Sequence, residues 1–308
     1  MSELCAQAAT AMYIGQRSRQ EDAVIADFSR GSDLGLAVLS DGMGGHDDGD
    51  LASRIIAGEM FGELFFSGAR LDCLRKNPAD TFQHALRVAN KSLNRHVTAG
   101  SISKDTGGTL VSLAIIGEQL RWISVGDSPL YLYRDRKLHR LNETHSMASQ
   151  IDMMVRCGEL DPDVGRDHPQ RHCLTSAITG GAIRQVDCPD TALRLKADDI
   201  VILASDGLNA IPDHRICAVV KRHRRKQSDG IVQALLRAVR AMGLPHQDNV
   251  SLVVIKMQPA HQKWQSRVKN APRALLGMLG DASDGLSTIT QAVLRPANRR
   301  EEFRRAQS

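Results

Sequence analysis

The chain is arranged around one stretch near its start, which reads Val38-Leu39-Ser40-Asp41-Gly42-Met43-Gly44-Gly45-His46. The apolar run from Leu36 to Leu39 predicts a buried strand, and we expect that strand to end at the Asp-Gly turn signal. The carboxylate of Asp41 is thereby placed at a strand end. The glycines that follow allow a sharp turn and a close approach of backbone carbonyls.

A second copy of this design occurs later, as Val201-Ile202-Leu203-Ala204-Ser205-Asp206-Gly207. Two strands that each end in an aspartate can bring both carboxylates to one edge of a core. Either copy alone is equally well explained as an ordinary Asp-Gly turn, because short motifs often match by chance.

The composition is that of a globular protein, with 308 residues, 42% hydrophobic and 24% charged. No apolar run approaches the length of a membrane-spanning helix, and the first residues lack the features of a signal peptide. Six scattered cysteines form no CxxC pair. They predict reduced thiols in a cytoplasmic protein and disfavour a zinc site.

The positive charge is unevenly distributed along the chain. From Ala260 onward there are nine Lys/Arg and four Asp/Glu, which leaves 31 basic and 31 acidic residues before that point. We predict one domain over residues 1–258 and a basic tail, partly helical or disordered, over residues 259–308. The neutral core argues against nucleic-acid binding. The tail could contact an anionic membrane surface or an acidic partner weakly.

Runs of strands alternate with pairs of helices, which predicts a layered α+β domain. Helical spacing marks residues 50–66, 77–97, 147–157 and 228–242, and strands are predicted over residues 110–116, 120–125, 130–133, 138–141 and 250–257. No internal repeat is found. The irregular segment 144–172 is typical of a lid or an insertion.

Five aspartates lie beside predicted strand ends: Asp22, Asp41, Asp127, Asp206 and Asp248. If they converge, they repel one another unless cations neutralise them. Oxygen ligands favour hard ions such as Mg²⁺ or Mn²⁺, and a pair of ions can activate a water and clamp a phosphate. The residues alone indicate a binuclear hydrolase of phosphate esters, but they do not show that the aspartates meet.

Six motifs follow one another in a fixed order: Arg17-x-x-x-Glu21-Asp22, Asp41-Gly42-Met43-Gly44-Gly45-His46, Gly107-Gly108-Thr109, Gly126-Asp127-Ser128, Ser205-Asp206-Gly207 and Asp248-Asn249. This order resembles the bacterial PP2C-type (PPM family) metal-dependent protein Ser/Thr phosphatases over residues 13–257. The resemblance implies a four-layer α-β-β-α sandwich, in which two antiparallel sheets are flanked by helices.

The resemblance also implies a set of metal ligands for two Mn²⁺ or Mg²⁺ ions. Asp41 would bridge both ions, and Asp206 and Asp248 would complete the first. The backbone carbonyl of Gly42 would serve the second ion, as would Glu21 through a water.

Further roles follow from the same resemblance. Asp127 would hold a third, weaker ion together with Asp206. Asp22 would orient the attacking water, Arg17 would bind the substrate phosphate, and Asn249 would support Asp248.

The chain departs from the family pattern at Pro129, at Thr144-His145-Ser146 and at Thr175-Ser176-Ala177. These departures concern substrate contacts and the flap, and they make the chain similar to the subgroup that accompanies bacterial kinases and type VI secretion. Met43 stands where animal members have a proposed general-acid histidine. His46 is a candidate substitute, although a structural role is the stronger interpretation.

The leading hypothesis is hydrolysis of phosphoserine or phosphothreonine in proteins, reversing a bacterial Ser/Thr kinase. The expected partners are phosphoproteins, either that kinase or its targets. The alternative is a phosphatase-like regulatory module that binds a phosphoprotein without turnover. A nucleotide site at residues 106–109 is disfavoured, because no phosphate-loop lysine accompanies it.

Overall fold

The computed structural model describes residues 4–29, 32–44, 48–68, 71–166 and 168–260, with the side chains of residues 67, 68, 71 and 72 left out. Within these ranges the strands are β1 (Leu4–Tyr13), β2 (Asp22–Asp27), β3 (Leu34–Met43), β4 (Gly107–Gly108), β5 (Leu110–Ile116), β6 (Gln119–Val125), β7 (Leu130–Arg134), β8 (Lys137–Arg140), β9 (Leu193–Arg194), β10 (Ile200–Ala204) and β11 (Val250–Pro259). The helices are α1 (Gly49–Gly68), α2 (Leu71–Lys76), α3 (Pro78–Thr98), α4 (Ala148–Arg156), α5 (Pro162–Arg166), α6 (Asp213–His223) and α7 (Ser228–Arg240).

The strands form two antiparallel sheets. One has the order β1-β11-β10-β7-β8, and the other has the order β2-β3-β5-β6-β9, with β4 paired to β3. Both sheets contain strands from distant parts of the chain: β1 pairs with β11 over ten residues, for example. The first and last described strands are therefore neighbours.

Three hydrophobic clusters separate four layers of structure. Ile56 and Met60 of α1 belong to the cluster between helices α1 and α3 and the second sheet. Leu113 and Val253 belong to the cluster between the two sheets. Leu235 of α7 lies in the cluster between helices α6 and α7 and the first sheet. The predicted four-layer α-β-β-α sandwich is confirmed.

The prediction that a strand ends at Asp41-Gly42 is wrong. Strand β3 continues to Met43, because Gly42 and Met43 pair with Gly108 and Gly107 of β4. A side chain at position 42 would collide with the backbone carbonyl oxygen of Gly49 and would lie 2.6 Å from that of Glu21. The glycine therefore serves close packing of three segments and not a turn.

Strand β1 was not predicted from the sequence, and neither were the short helices α2 and α5. The strand is rich in alanine, at positions 6, 8, 9 and 11, and alanine has a low preference for strands. It forms because β11 supplies a full ladder of backbone partners. Tertiary pairing thus overrides local preference here.

The described residues make up one compact unit that ends at Ala260. Of the predicted tail, residues 259–308, only Pro259 and Ala260 are among the described residues, so the boundary at residue 258 stays a prediction. Among the helices of the described residues, none is long and apolar enough to cross a membrane.

Candidate metal centre

The predicted carboxylates come from both sheets and meet at one end of the sandwich. Asp22 and Asp41 are direct partners in the β2–β3 ladder. Asp127 follows β6, Asp206 begins a 3₁₀ turn after β10, and Asp248 precedes β11. Since β2, β3 and β6 belong to one sheet and β10 and β11 to the other, the site lies where the two sheets meet.

A cavity of about 810 Å³ opens at this point. Its lining includes eight of the nine predicted site residues: Arg17, Glu21, Asp41, Gly42, Asp127, Asp206, Asp248 and Asn249. The ninth, Asp22, is buried behind the lining, and its Oδ2 accepts a hydrogen bond of 2.9 Å from the Ser205 hydroxyl. The structure therefore brings the whole predicted set together.

The cluster is electrostatically unfavourable without cations. Burial, followed by the charges of the neighbouring aspartates, raises the pKa of Asp41 well above its usual value and also raises that of Asp206. The same causes raise the pKa of Asp22 to about 6 and that of Asp127 to about 7. Crowded acids of this kind are stabilised by bound cations.

The donor set fits hard divalent ions. It offers carboxylate oxygens, together with the Gly42 carbonyl, and such ligands suit Mg²⁺ or Mn²⁺. The Oδ1 of Asp22 is buried and has no hydrogen-bond partner among the described residues, so this carboxylate keeps one unpaired acceptor beside the cluster. Within the described ranges, no three His, Cys, Asp or Glu side chains are arranged closely enough to hold a metal ion by themselves. Water molecules would therefore have to complete the coordination, and Mg²⁺ usually keeps several waters when it binds to proteins.

Arg17 lies at the mouth of the cavity. Its Nη2 donates a hydrogen bond of 2.7 Å to Asp248 Oδ2, and this contact raises the pKa of the arginine. More than half of the Arg17 side chain remains exposed to solvent. Its remaining guanidinium donors can therefore reach a ligand in the cavity.

Asn249 fixes the loop that carries Arg17 and Glu21. Its Nδ2 donates to the backbone oxygens of Ile14 and Arg19, at 2.8 and 3.0 Å, and its Oδ1 accepts from the backbone nitrogen of Glu21 at 2.8 Å. The predicted role of Asn249 is to support Asp248. Its contacts show that it also links two motifs that are more than 200 residues apart in the chain.

Two supporting hydroxyl groups were missed from the sequence. Thr109 donates its backbone N–H to the Asp41 carbonyl at 2.9 Å, and its Oγ1 accepts from the Asp41 backbone at 3.2 Å. Ser205 holds Asp22 as described above. Both residues belong to conspicuous motifs, Gly107-Gly108-Thr109 and Ser205-Asp206-Gly207, but the contacts of their side chains are visible only in the structure.

The far wall of the cavity comes from the segment between α5 and β9, which contributes His172, Cys173, Thr175, Ser176 and Arg184. Among the described residues of the predicted lid, 144–172, only His172 contributes to the cavity lining, and the other residues of this wall follow it in the chain. His145, in the loop between β8 and α4, is buried, and its Nδ1 accepts a hydrogen bond from the Gly126 backbone at 3.2 Å. The candidate His46 lies outside the described residues.

Comparison with known proteins adds to this geometry, although no profile of a protein family matches the chain. The chain is 26% identical to the protein phosphatase PhpP of Streptococcus pneumoniae over 195 residues, 63% of this chain and 76% of that protein. It is 29% identical to the serine/threonine protein phosphatase PstP of Mycobacterium tuberculosis over 240 residues, 77% of this chain and 42% of that protein.

A similar solved structure is the catalytic domain of PstP in complex with two manganese ions. It superposes with a TM-score of 0.64 at 25% identity and covers 83% of this chain and 99% of that domain. Sequence relatives, fold and the order of the motifs agree. In all three respects the chain is similar to bacterial PP2C-type (PPM family) protein Ser/Thr phosphatases.

Proposed function

We propose that this phosphatase hydrolyses phosphoserine and phosphothreonine in proteins at a binuclear Mg²⁺ or Mn²⁺ centre. The observation that carries the proposal is the convergence of Asp22, Asp41, Asp127, Asp206 and Asp248 at one cavity, with the pKa values of four of them raised. The two manganese ions of the solved PstP catalytic domain support the choice of metal.

The residues divide into two groups around the proposed ions. After burial, the charges of Asp206 and Asp22 have the largest effects on the pKa of Asp41, and a carboxylate near both suits a bridging ligand. Asp206 and Asp248 would hold the first ion, and the Gly42 carbonyl and Glu21 would face the second. After burial, the charge of Asp206 has the largest effect on the pKa of Asp127, which suits a weaker third site shared by these two residues.

When bound, the ions would supply an acidified water and would polarise the phosphoryl oxygens. Asp22 would orient the attacking water, since one of its oxygens accepts a hydrogen bond from Ser205 and the other has no hydrogen-bond partner among the described residues. Arg17 would turn part of its guanidinium from Asp248 to the substrate phosphate, which it can bind with two parallel hydrogen bonds. The cavity is open enough to admit a phosphorylated side chain.

The proposed partners are phosphoproteins, either a cognate bacterial Ser/Thr kinase or the targets of that kinase. The names of the relatives support protein substrates. We also propose a cytoplasmic location, which six cysteines without a disulfide support.

The test is turnover of a phosphothreonine peptide by the full chain with added Mn²⁺, with Mg²⁺ and after chelation. We expect activity with metal, loss on chelation and recovery when metal is restored. Full activity after chelation would refute the metal mechanism. Binding of the peptide without turnover, in the presence of either ion, would favour the regulatory module.

The basic tail is proposed to serve location or partner choice and not catalysis. All six motifs end by Asn249, and the tail contains Arg295, Arg299, Arg300, Arg304 and Arg305. Truncation after Gln258 should preserve turnover of the short peptide and reduce salt-sensitive binding to anionic vesicles. A truncated protein that is soluble but inactive would show that the domain boundary is wrong.

A further inference from the structure

A second charged surface lies on the folded domain, away from the carboxylates. Residues 213–240 contain eight Lys/Arg and only two Asp/Glu, although the residues before 260 are neutral as a whole. This segment consists of α6, a short turn and α7. Most of its basic side chains are exposed, including Arg215, Lys221, Arg222 and Arg225.

These side chains line a groove between α6 and α7. Two adjoining depressions, of about 570 and 300 Å³, share Ala218 and Arg222. We call their combined lining the basic groove: the six basic residues Arg215, Lys221, Arg222, Arg224, Arg225 and Arg237, together with Ala218, Val219, His223 and Ala234. Positions 215, 218 and 222 recur at helical spacing along α6, so they lie on one face, and Arg224 and Arg225 follow in the turn after that helix.

The charges of the basic groove are not neutralised by neighbouring acids. Across the described residues, none of its six basic side chains forms an ion pair with a carboxylate. Of the two acids in the segment, Asp213 accepts a hydrogen bond of 2.8 Å from the Tyr131 hydroxyl. The groove therefore presents a concentrated positive field to solvent.

Helix dipoles explain only part of this arrangement. Lys221 and Arg222 lie in the last turn of α6, and Arg237 lies in the last turn of α7, where cations are favoured. Arg215 lies in the first turn of α6, where a cation is disfavoured. Mutual repulsion among six cations is a further cost, which a bound anion would relieve.

The basic groove lies far from the catalytic cavity. Lys256 of β11 donates hydrogen bonds to the backbone oxygens of Arg224 and Lys226, at 2.6 and 3.1 Å, which places this turn beside Lys256. Asp248, at the cavity, lies eight residues before Lys256, and most of the residues between them belong to the extended strand β11. At about 3.3 Å per residue, the two sites are roughly 25 Å apart.

The character of the groove indicates an acidic peptide segment as its occupant. Arginine forks pair with carboxylates through two hydrogen bonds, and the small apolar residues between them leave room for an extended backbone. No exposed large hydrophobic side chain occurs between residues 213 and 240, so the groove lacks an anchor for a membrane and an aromatic platform for bases. The chain's own tail is basic and would be repelled.

We propose that the basic groove is a docking site for an acidic segment of a protein partner, separate from the catalytic cavity. In one respect this rests on the proposed function: the partner would be a phosphoprotein whose acidic segment lies at a distance from its phosphorylated residue. Docking there would raise the effective concentration of the phosphorylated residue at the cavity.

The test measures binding directly and without turnover. A fluorescent peptide of alternating Asp, Glu and Ser, with no phosphate, is titrated with the full chain at low and high salt. Arg222→Glu/Arg225→Glu is compared with Arg87→Glu/Lys91→Glu, which reverses two exposed cations on α3. The tail is present in every protein, so its contribution cancels.

We expect the groove variant to bind about tenfold more weakly than the wild type, while the α3 variant binds nearly as the wild type does. Equal binding by both variants would overturn the proposal. So would tighter groove-dependent binding, at equal salt, to a short DNA duplex or to phosphatidylglycerol vesicles. If the reversed variant melts early, Arg222→Ala/Arg225→Ala replaces it.

Turnover of a short phosphothreonine peptide separates this proposal from the catalytic one. The groove variant should turn over that peptide at the wild-type rate, because the groove is remote from the cavity. If the wild type turns over the short peptide normally but does not bind the acidic peptide, only the docking proposal is refuted. Absent turnover with groove-dependent binding refutes the catalytic proposal and leaves docking standing.

Discussion

Asp41 concentrates the electrostatics of the site in one side chain. Four other aspartates raise its pKa in addition to burial. Thr109 forms hydrogen bonds with both the backbone N–H and the backbone carbonyl of Asp41. The carboxylate therefore cannot move away from its neighbours. A residue in this position stabilises bound cations and destabilises the metal-free fold.

Asp41→Asn is expected to abolish phosphatase activity and weaken Mn²⁺ binding while leaving the fold intact, because a bridging charge is lost. The metal-free variant should melt at a higher temperature than the metal-free wild type, since one repelling charge is removed. Calorimetric Mn²⁺ titration and thermal melts measure both effects. Asp135→Asn, at an exposed left-handed position that Asn tolerates, is the control and should change neither. Near-normal turnover by Asp41→Asn would place the site elsewhere.

Arg17→Lys is expected to raise KM for a phosphothreonine peptide more than it lowers kcat. Lysine keeps the positive charge but loses the fork that binds two phosphoryl oxygens. We expect a loss of about tenfold or more in kcat/KM, from steady-state kinetics at saturating Mn²⁺. Arg54→Lys, which alters an exposed ion pair with Asp50 on α1, is the matched control. Equal kinetics for both variants would exclude phosphate binding by Arg17.

At the level of elements, the candidate metal centre depends on close packing between the end of one strand and the start of another. The 3₁₀ turn after β10 meets the start of β11 so closely that a side chain at Gly207 would collide with the backbone carbonyl oxygen of Asn249. This contact sets the spacing between Asp206 and Asp248. The glycine in Ser205-Asp206-Gly207 is thus required by the neighbouring strand.

Gly207→Ala is expected to destabilise the protein by about 1–3 kcal/mol and to reduce Mn²⁺ affinity, because the turn must shift away from β11. Urea unfolding and Mn²⁺ titration would show both changes. Gly58→Ala is the control, since nothing lies within 4 Å of the added carbon on an exposed position of α1. That change should stabilise by about 0.5–1 kcal/mol. Unchanged stability for Gly207→Ala would contradict the packing argument.

For the whole molecule, the acidic cluster links stability to pH. Asp22 and Asp127 have pKa values of about 6 and 7 in the fold, above those of an unfolded chain. The folded state therefore binds more protons than the unfolded state between about pH 4 and pH 7. Their stabilising contribution is complete below about pH 4 and is lost as the pH rises through these values.

Metal-free protein is accordingly expected to lose on the order of 2–4 kcal/mol from these two groups between pH 5 and pH 8. Saturating Mn²⁺ should remove most of that loss, since the ions favour the charged acids. Urea unfolding in chelator, across this pH range, measures the slope. Asp127→Asn should flatten it, and Asp135→Asn should not. A metal-free protein that gains stability toward pH 8 would contradict the raised pKa values.

Much of the site could be predicted from the sequence because most of its residues lie in short motifs of neighbouring residues. Asp41, Asp206 and Asp248 stand beside or within apolar runs that form strands β3, β10 and β11, and the pairing of a strand holds the residues in and next to it. The order of the motifs then indicated the family and its four layers. These predictions depend on neighbouring residues, so the sequence contains the necessary information.

Other features depend on residues that meet only in three dimensions. Strand β1 has a poor local preference and exists because β11 pairs with it. Gly42 reads as a turn but lies in a strand, because Gly108 and Gly49 approach it closely. The basic groove cannot be recognised from the total charge, because the residues before 260 are neutral as a whole. The cations come together only when α6, α7 and the turn between them pack. Local chemistry was determined by the sequence, whereas convergence, close approach and surface charge were decided by tertiary packing.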